Sequence, residues 1–103
     1  MKQSEPLSVM GDYSFDDKTI NIHPNDGFDL GLMTTQHVVH ICTGCSYDEF
    51  VSGTANATEG VIHLKNECRA NTVELSSRTV ERLGKPRKIV LVLQDGRLLL
   101  QPA

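Results

Sequence analysis

The clearest alternation of hydrophobic and polar positions lies in the last part of the chain. Residues 60–65 (GVIHLK) and 71–76 (NTVELS) predict two strands, and in the second strand Val73 and Leu75 share one face. Ser76 or Ser77 as a cap then predicts a short helix through Leu83, which Gly84 terminates, because glycine favours the position after a helix. The pattern therefore predicts a strand, a strand and a helix in sequence.

Residues 88–102 predict a closing hairpin around Asp95-Gly96, since this dipeptide suits a type I′ turn with two positive φ angles. Both of its strands are apolar on both faces (IVLVL and LLL). An antiparallel hairpin normally leaves one face to water. We therefore expect a second layer over the hairpin, most simply another subunit, and a β-β-α-β-β order for residues 60–103.

The first half of the chain has weaker signals. Residues 19–23 and 35–42 predict strands, and Ser46 followed by Glu49 has the spacing of a capping box before a helical turn at 47–52. No period holds over residues 1–17, which we expect to form a loose arm. The fold class predicted is a small, β-rich α+β domain with an antiparallel, barrel-like sheet and one short helix, as an intertwined dimer.

Composition limits the size and the setting of this domain. The chain has 103 residues, of which 39% are hydrophobic, and it has no tryptophan. This length favours one compact domain with a modest core of aliphatic residues. The apolar runs are too short to span a bilayer, and residues 1–12 lack the apolar centre of a secretion signal. We therefore expect a cytoplasmic protein without membrane contact.

Charge divides the chain into two segments. Residues 1–58 carry two basic and eight acidic side chains, whereas residues 59–103 carry eight basic and five acidic ones. A basic segment can mark an anionic partner, and an acidic segment can serve a protein partner. Alternatively, the two segments neutralise each other within a monomer or across a dimer. The glycine- and serine-containing stretch at 52–60 coincides with this change of sign.

The C-terminal segment resembles a known family. Residues 73–84 (VELSSRTVERLG) and 89–103 (IVLVLQDGRLLLQPA) are similar to the strand, short helix and closing hairpin of the AbrB/MazE-like swapped-hairpin DNA-binding domains. The chain departs from that pattern at Ser76, where the family has proline, and in the short loop at 85–88. The resemblance covers residues 60–103 and implies a homodimer of interlocked hairpins.

The same resemblance implies a DNA surface on the loop that follows the first strand. Its candidate contacts are basic and amide side chains of that loop and one arginine of the helix: Lys65, Asn66, Arg69, Asn71 and Arg78. Basic side chains would contact phosphates, and the asparagines would contact base edges or the sugar-phosphate backbone. The alternative is that these residues form an ordinary solvated face.

Cysteines and histidines supply the other candidate chemistry. Cys42 and Cys45 have the spacing of a zinc knuckle, and His63 and Cys68 could complete a structural zinc site, with His40 as a substitute for His63. Two alternatives remain for the first pair. It could act in redox chemistry before a helix N-terminus, or it could be a small buried pair in the core.

No nucleophile, base and acid can be grouped into a catalytic set, and no glycine-rich phosphate loop is present. We therefore predict no enzyme activity. The leading hypothesis is a regulatory DNA-binding protein of the swapped-hairpin type, such as a transcription regulator or antitoxin-like factor. The alternative hypothesis is a small protein-binding inhibitor or accessory protein that does not touch DNA, with or without a stabilising zinc ion.

Overall fold

Short aliphatic segments form most of the regular structure. A computed structural model describes residues 1–103. Its strands are β1 (Lys2–Gln3), β2 (Leu7–Asp12), β3 (Thr19–Ile22), β4 (Gln36–Cys42), β5 (Thr58–Leu64), β6 (Thr72–Ser76), β7 (Lys88–Gln94) and β8 (Arg97–Pro102). Its helices are α1 (Pro24–Asp29), α2 (Tyr47–Ser52) and α3 (Ser77–Arg82). None of the three helices has the length and apolar character needed to cross a membrane.

Seven strands close into a barrel in the order β7, β2, β6, β3, β5, β4 and β8, and β8 then pairs with β7. The short β1 pairs with β7 beyond the end of β2. Three neighbouring pairs are parallel, namely β2–β6, β3–β5 and β4–β8, so the sheet is mixed rather than antiparallel as predicted. The prediction of a small, β-rich, barrel-like domain is confirmed, with three short helices instead of one.

Side chains from one face of every long strand fill the interior of the barrel. A cluster of 14 buried residues includes Ile20 and Ile22 of β3, Val73 and Leu75 of β6, and inward residues of the closing hairpin. Alternate residues of a strand point to opposite faces, so one register puts all of these side chains inside together. Full burial of each one contributes roughly 1.5–3 kcal/mol.

A second layer covers the outer face of the closing hairpin. Phe50 of α2 is fully buried against Cys42, Val92 and Leu99. The helix begins with the predicted capping box, in which the Ser46 hydroxyl accepts from the Glu49 amide at 3.1 Å and the Glu49 carboxylate accepts from the Ser46 amide at 3.0 Å. The helical turn predicted at 47–52 is confirmed, and it supplies within one chain the layer that the hairpin's apolar faces had suggested for a second subunit.

The N-terminal residues differ from the expected loose arm. β2 lies inside residues 1–17, pairs with β6 and β7, and places the fully buried Leu7 in the core. The alternation of apolar and polar residues in β2 is not visible in the sequence, because the apolar Met10 points outward and Gly11 has no side chain. The two charge segments are also joined in one sheet, since β5 pairs with β3 and β4, and β8 pairs with β4.

The closing hairpin forms as predicted. Asp95 and Gly96 have φ values of 51° and 76°, as a type I′ turn requires. β5 and β6, by contrast, are not a hairpin, because β3 lies between them and pairs with both. Every long strand has neighbours on both sides, so no strand edge remains that a partner hairpin would need to complete.

Candidate ligand-binding site

A cleft of about 630 Å³ lies on the outer face of β2, β6 and β3. One wall is formed by residues 10–12 and Phe15, and the other by residues 64–68. Asn21 and Glu74 also line it and lie on the strands between these walls. We call this hollow the outer cleft. It lies away from the strands that α2 covers.

Strand register brings the floor of the outer cleft together. Glu74 of β6 is paired with Met10 of β2 on one side and with Asn21 of β3 on the other. The neighbours of these residues along each strand point into the core, so the three side chains point outward. The result is a lateral row across three strands, from the thioether of Met10 to the amide of Asn21.

Asn21 is the unusual member of this row, because it is only 3% exposed. Its Nδ2 donates a hydrogen bond to Glu74 Oε1 at 3.2 Å, whereas its buried Oδ1 has no partner. The opposite amide orientation would place the Asn21 oxygen against the Glu74 carboxylate and is unfavourable. The hydrogen bond therefore identifies Oδ1 as the atom without a partner. A buried acceptor without a donor costs about 1–3 kcal/mol.

The outer cleft carries more negative than positive charge. Asp12, Glu67 and Glu74 line it together with a single base, Lys65. The pKa of Asp12 is lowered by hydrogen bonds from the side chain and backbone of Ser14, so this carboxylate is charged near neutral pH. The field in the cleft therefore favours a cationic ligand.

Cys68 closes the lower end of the second wall. Its thiol is buried, and its sulfur lies 3.7 Å from the backbone oxygens of both Asn21 and Thr72, which share its one hydrogen. Burial, followed by the negative charges of Glu74 and Asp26, raises its pKa to about 11. The thiol therefore stays protonated at neutral pH and acts as a packing group and a weak donor.

The loop that carries Phe15 is held in place by Asp17. This carboxylate accepts from Arg78 Nε at 3.0 Å, from Arg82 Nη2 at 2.6 Å and from the Ser76 hydroxyl at 2.8 Å. Arg78 also donates to the backbone oxygen of Phe15 at 3.3 Å. Two arginines of α3 thus fix the first wall of the outer cleft.

These contacts predict a pH-dependent contribution to stability. Hydrogen bonds from Ser76 and Arg82 lower the pKa of Asp17 to about 2. The folded state therefore prefers the charged carboxylate, and its stabilisation is complete above the ordinary value of 3.8 and is lost as the pH falls toward 2. Because the Asp17 side chain is 32% exposed and partly screened, we expect Asp17→Asn to lower the free energy of unfolding by about 1 kcal/mol at pH 6.

Urea denaturation of both proteins between pH 2 and 6 measures this difference. The difference in free energy of unfolding between wild type and Asp17→Asn should decrease below pH 4 and vanish near pH 2. Glu59→Gln, which changes an exposed carboxylate at the start of β5, is the control. Equal stability of Asp17→Asn and wild type at pH 6 would contradict the role given to Asp17.

The five predicted DNA contacts lie in the second wall of the outer cleft and beyond it. Lys65 and Asn66 line the outer cleft, and Arg69 is exposed on the same loop. Asn71 has a φ of 62°, and its backbone amide donates to Asp26 at 2.8 Å, so it shapes the loop. Arg78 is engaged by Asp17. Two of the five residues therefore contribute directly to the cleft, beside carboxylates.

The predicted zinc ligands do not meet. His63 is paired with Gln36 at the start of β4, whereas Cys42 is at the other end of that strand. Six residues of extended chain span about 20 Å, far more than one ion can bridge. No cluster of three or more metal-ligating side chains is present. The structure therefore does not bring Cys42, Cys45, His63 and Cys68 together, because the two pairs lie at opposite ends of β4, and zinc at these residues stays a prediction.

The Cys42 and Cys45 pair packs with Phe50 in the outer layer. Burial raises the pKa of both thiols, and the charge of Glu49 raises that of Cys45 further. This arrangement favours the buried-pair interpretation among the three that the sequence left open.

A smaller hollow of about 310 Å³ lies at the barrel end beside α3. Its charged lining includes Asp17 and Arg82, which pair with each other. No buried polar atom without a partner belongs to its lining. We therefore consider the outer cleft the stronger candidate site.

Glu74 lies between Val73 and Leu75, so the alternation predicted for β6 puts it on the outward face, whereas nothing in the sequence pattern gave Asn21 a role. The signal was an asparagine between Ile20 and Ile22, which is a polar side chain on the outward side of a strand. Its neighbour Glu74 is 53 positions away, so only the strand register reveals the pair. No protein-family model, no curated protein and no solved structure matches this chain.

Proposed function

We propose that this chain is a non-catalytic protein-binding module, and that its outer cleft receives a basic segment of a partner protein. The observation that carries the proposal is the acidic cleft built over Asn21 and Glu74, with three carboxylates against one lysine. Such a site attracts lysine- or arginine-containing segments and orients them as they approach.

The lining also contains apolar groups suited to a peptide. Met10, Phe15 and Leu64 line the outer cleft, and Met10 is 55% exposed. Tyr13, in the same loop as Phe15, is 86% exposed. Lysine and arginine have long alkyl stems that pack on apolar surface while the charged end reaches a carboxylate. Mixed apolar and acidic lining therefore matches a basic segment better than it matches a purely polar ligand.

Charge favours a protein partner over DNA. Binding to DNA requires lysines and arginines that neutralise phosphates. Here Glu67 follows Lys65 and Asn66 in the same loop, and Arg78 and Arg82 are paired with Asp17. The basic character of residues 59–103 is thereby reduced on the face that carries the cleft. Of the two hypotheses from the sequence, we favour the protein-binding accessory role.

Fluorescence anisotropy tests this function with labelled peptides of equal length and a labelled DNA duplex. The peptides are one basic and apolar, one with each basic residue replaced by glutamate, and one neutral. We expect binding of the basic peptide alone, and weaker binding as salt increases, because exposed charges are screened. Binding of the duplex, with a steep loss of affinity at higher salt and no peptide binding, would support the DNA hypothesis instead.

A charge reversal locates the site. We expect Glu67→Lys to weaken binding of the basic peptide about fivefold, since it replaces attraction by repulsion at the wall of the cleft. Glu59→Lys makes the same charge change at the start of β5 and is the matched control. Equal affinities of the two variants would show that the peptide binds elsewhere.

A further inference from the structure

We infer that the anchor of the bound segment is an arginine side chain, whose guanidinium group donates hydrogen bonds to Asn21 Oδ1 and to the carboxylate of Glu74. This inference rests on the proposed function and names the group that the outer cleft selects. It starts from the buried Asn21, whose Nδ2 is used and whose Oδ1 is not.

No hydrogen-bond donor within the chain satisfies Asn21 Oδ1. The nearby thiol of Cys68 is directed to the backbone oxygens of Asn21 and Thr72. Lys65 and Asn66 line the outer cleft and are exposed, and neither donates a hydrogen bond to Asn21 Oδ1. A ligand that donates an N–H group to Oδ1 therefore removes the free-energy cost of this unsatisfied acceptor. The atom thus favours ligands with such a donor over ligands without one.

Glu74 provides the second acceptor beside it. One of its oxygens accepts from Asn21, and a carboxylate has room for about four hydrogen bonds in total. The two acceptors lie on neighbouring strands, one neutral and one charged. A planar cation with several diverging N–H groups can satisfy both at once, and guanidinium has five such donors.

Two further features favour arginine over lysine. A guanidinium group is more weakly hydrated than an ammonium group. It therefore loses less hydration free energy when it enters the cleft and reaches a buried acceptor. Phe15 and Met10 in the first wall also provide an aromatic ring and a thioether against which a planar cation and its alkyl stem can stack.

Access to Oδ1 requires a local shift, because this atom is covered in the free chain. The wall beside it is the turn at 65–68, closed by the Cys68 amide, which donates to the Lys65 oxygen at 3.1 Å. The turn is held to its neighbours by the Lys65 amide, which donates to the Ile22 oxygen at 2.9 Å, and by the Cys68 thiol, whose one hydrogen is shared between two backbone oxygens at 3.7 Å and makes a weaker contact than an N–H···O bond. We infer that a shift of residues 66–68 alone, with the Lys65–Ile22 bond kept, exposes Asn21 and leaves the pairing of β3 with β5 intact.

The test uses three versions of one peptide with arginine, lysine or citrulline at the anchor position, titrated against the full chain. Citrulline keeps the planar shape but has no charge. We expect the arginine peptide to bind about tenfold more tightly than either of the others. Binding should also shift the side-chain amide resonances of Asn21 in a ¹⁵N-labelled sample.

Variants distinguish the specific contact of the arginine with Glu74 from general electrostatic attraction to the outer cleft. Glu74→Gln should weaken the arginine peptide about tenfold while retaining a hydrogen bond to Asn21, and Glu59→Gln should leave its affinity unchanged. Equal affinities for arginine and lysine peptides would overturn the inference, yet leave the proposed function standing. Failure of every basic peptide to bind would overturn both. The peptide comparison uses the wild-type chain, so it does not depend on the folding of a variant.

Discussion

Replacement of Phe50 by alanine is expected to lower the free energy of unfolding by about 3–5 kcal/mol. The ring is fully buried between α2 and the outer face of the closing hairpin. It also lies 5.2 Å below the guanidinium of Arg97, which donates to the Phe50 backbone oxygen at 2.8 Å. Truncation removes apolar burial, opens a cavity and ends the cation–π contact. Guanidinium chloride denaturation, followed by circular dichroism, measures the change.

Val51→Ala is the matched control, because Val51 follows Phe50 in α2 but is 39% exposed. Its effect should stay within about 0.5 kcal/mol. A loss below about 1 kcal/mol for Phe50→Ala would mean that α2 is not the layer that buries the hairpin. Light scattering of the wild type would then show whether a second copy supplies that layer, as the apolar pattern alone had suggested.

Features with local signals were predicted correctly from the sequence. The Asp95-Gly96 turn needs only two residues with positive φ, and the start of α2 needs only Ser46 and Glu49. The alternation in β6 likewise placed Val73 and Leu75 in the core. Each of these depends on neighbours within a few positions, which is the range over which sequence patterns carry information.

Helix α1 shows how a local signal can also mislead. On the sequence alone, Pro24 ends the strand predicted at 19–23, and the Asn25–Gly27 stretch favours a turn. In the structure Pro24 occupies the first helical turn, where its missing N–H costs nothing, and the His23 Nδ1 accepts from the Asn25 amide at 3.0 Å as the cap. A Cβ at Gly27 would lie 2.6 Å from Leu64 Cδ2, so the Leu64 side chain would have to move to admit any larger residue there.

The candidate site was predicted only in part, because it depends on the barrel closing. Lys65, Asn66 and Cys68 were selected for DNA or zinc, and all three line the outer cleft. Their role changes once the parallel pairing of β2 with β6 and the antiparallel pairing of β6 with β3 bring Glu74 and Asn21 beside them. No short-range pattern specifies which strands become neighbours, so the acidic floor could not be recognised beforehand.

Replacement of Gly60 by alanine is expected to lower the free energy of unfolding by about 2–3 kcal/mol. A Cβ at this buried position would lie 2.8 Å from the backbone oxygen of Lys18 and would overlap the Ile41 side chain. That oxygen accepts from the Val61 amide at 2.7 Å, beside the first pair of β3 with β5. The added methyl group must therefore displace either the core or a strand pairing that closes the barrel. Urea denaturation measures the loss.

Gly11→Ala is the matched control, because neither glycine has a positive φ and a Cβ at Gly11 would lie 3.3 Å or more from its neighbours. Its effect should stay within about 0.5 kcal/mol. Shortening Ile41 to valine in the Gly60→Ala background should restore part of the stability, since a smaller side chain makes room for the methyl group. Strictly additive losses in that double variant would show that the backbone of Lys18, rather than the Ile41 side chain, sets the limit at Gly60. No loss in Gly60→Ala would contradict the close packing of β3, β4 and β5 at this point.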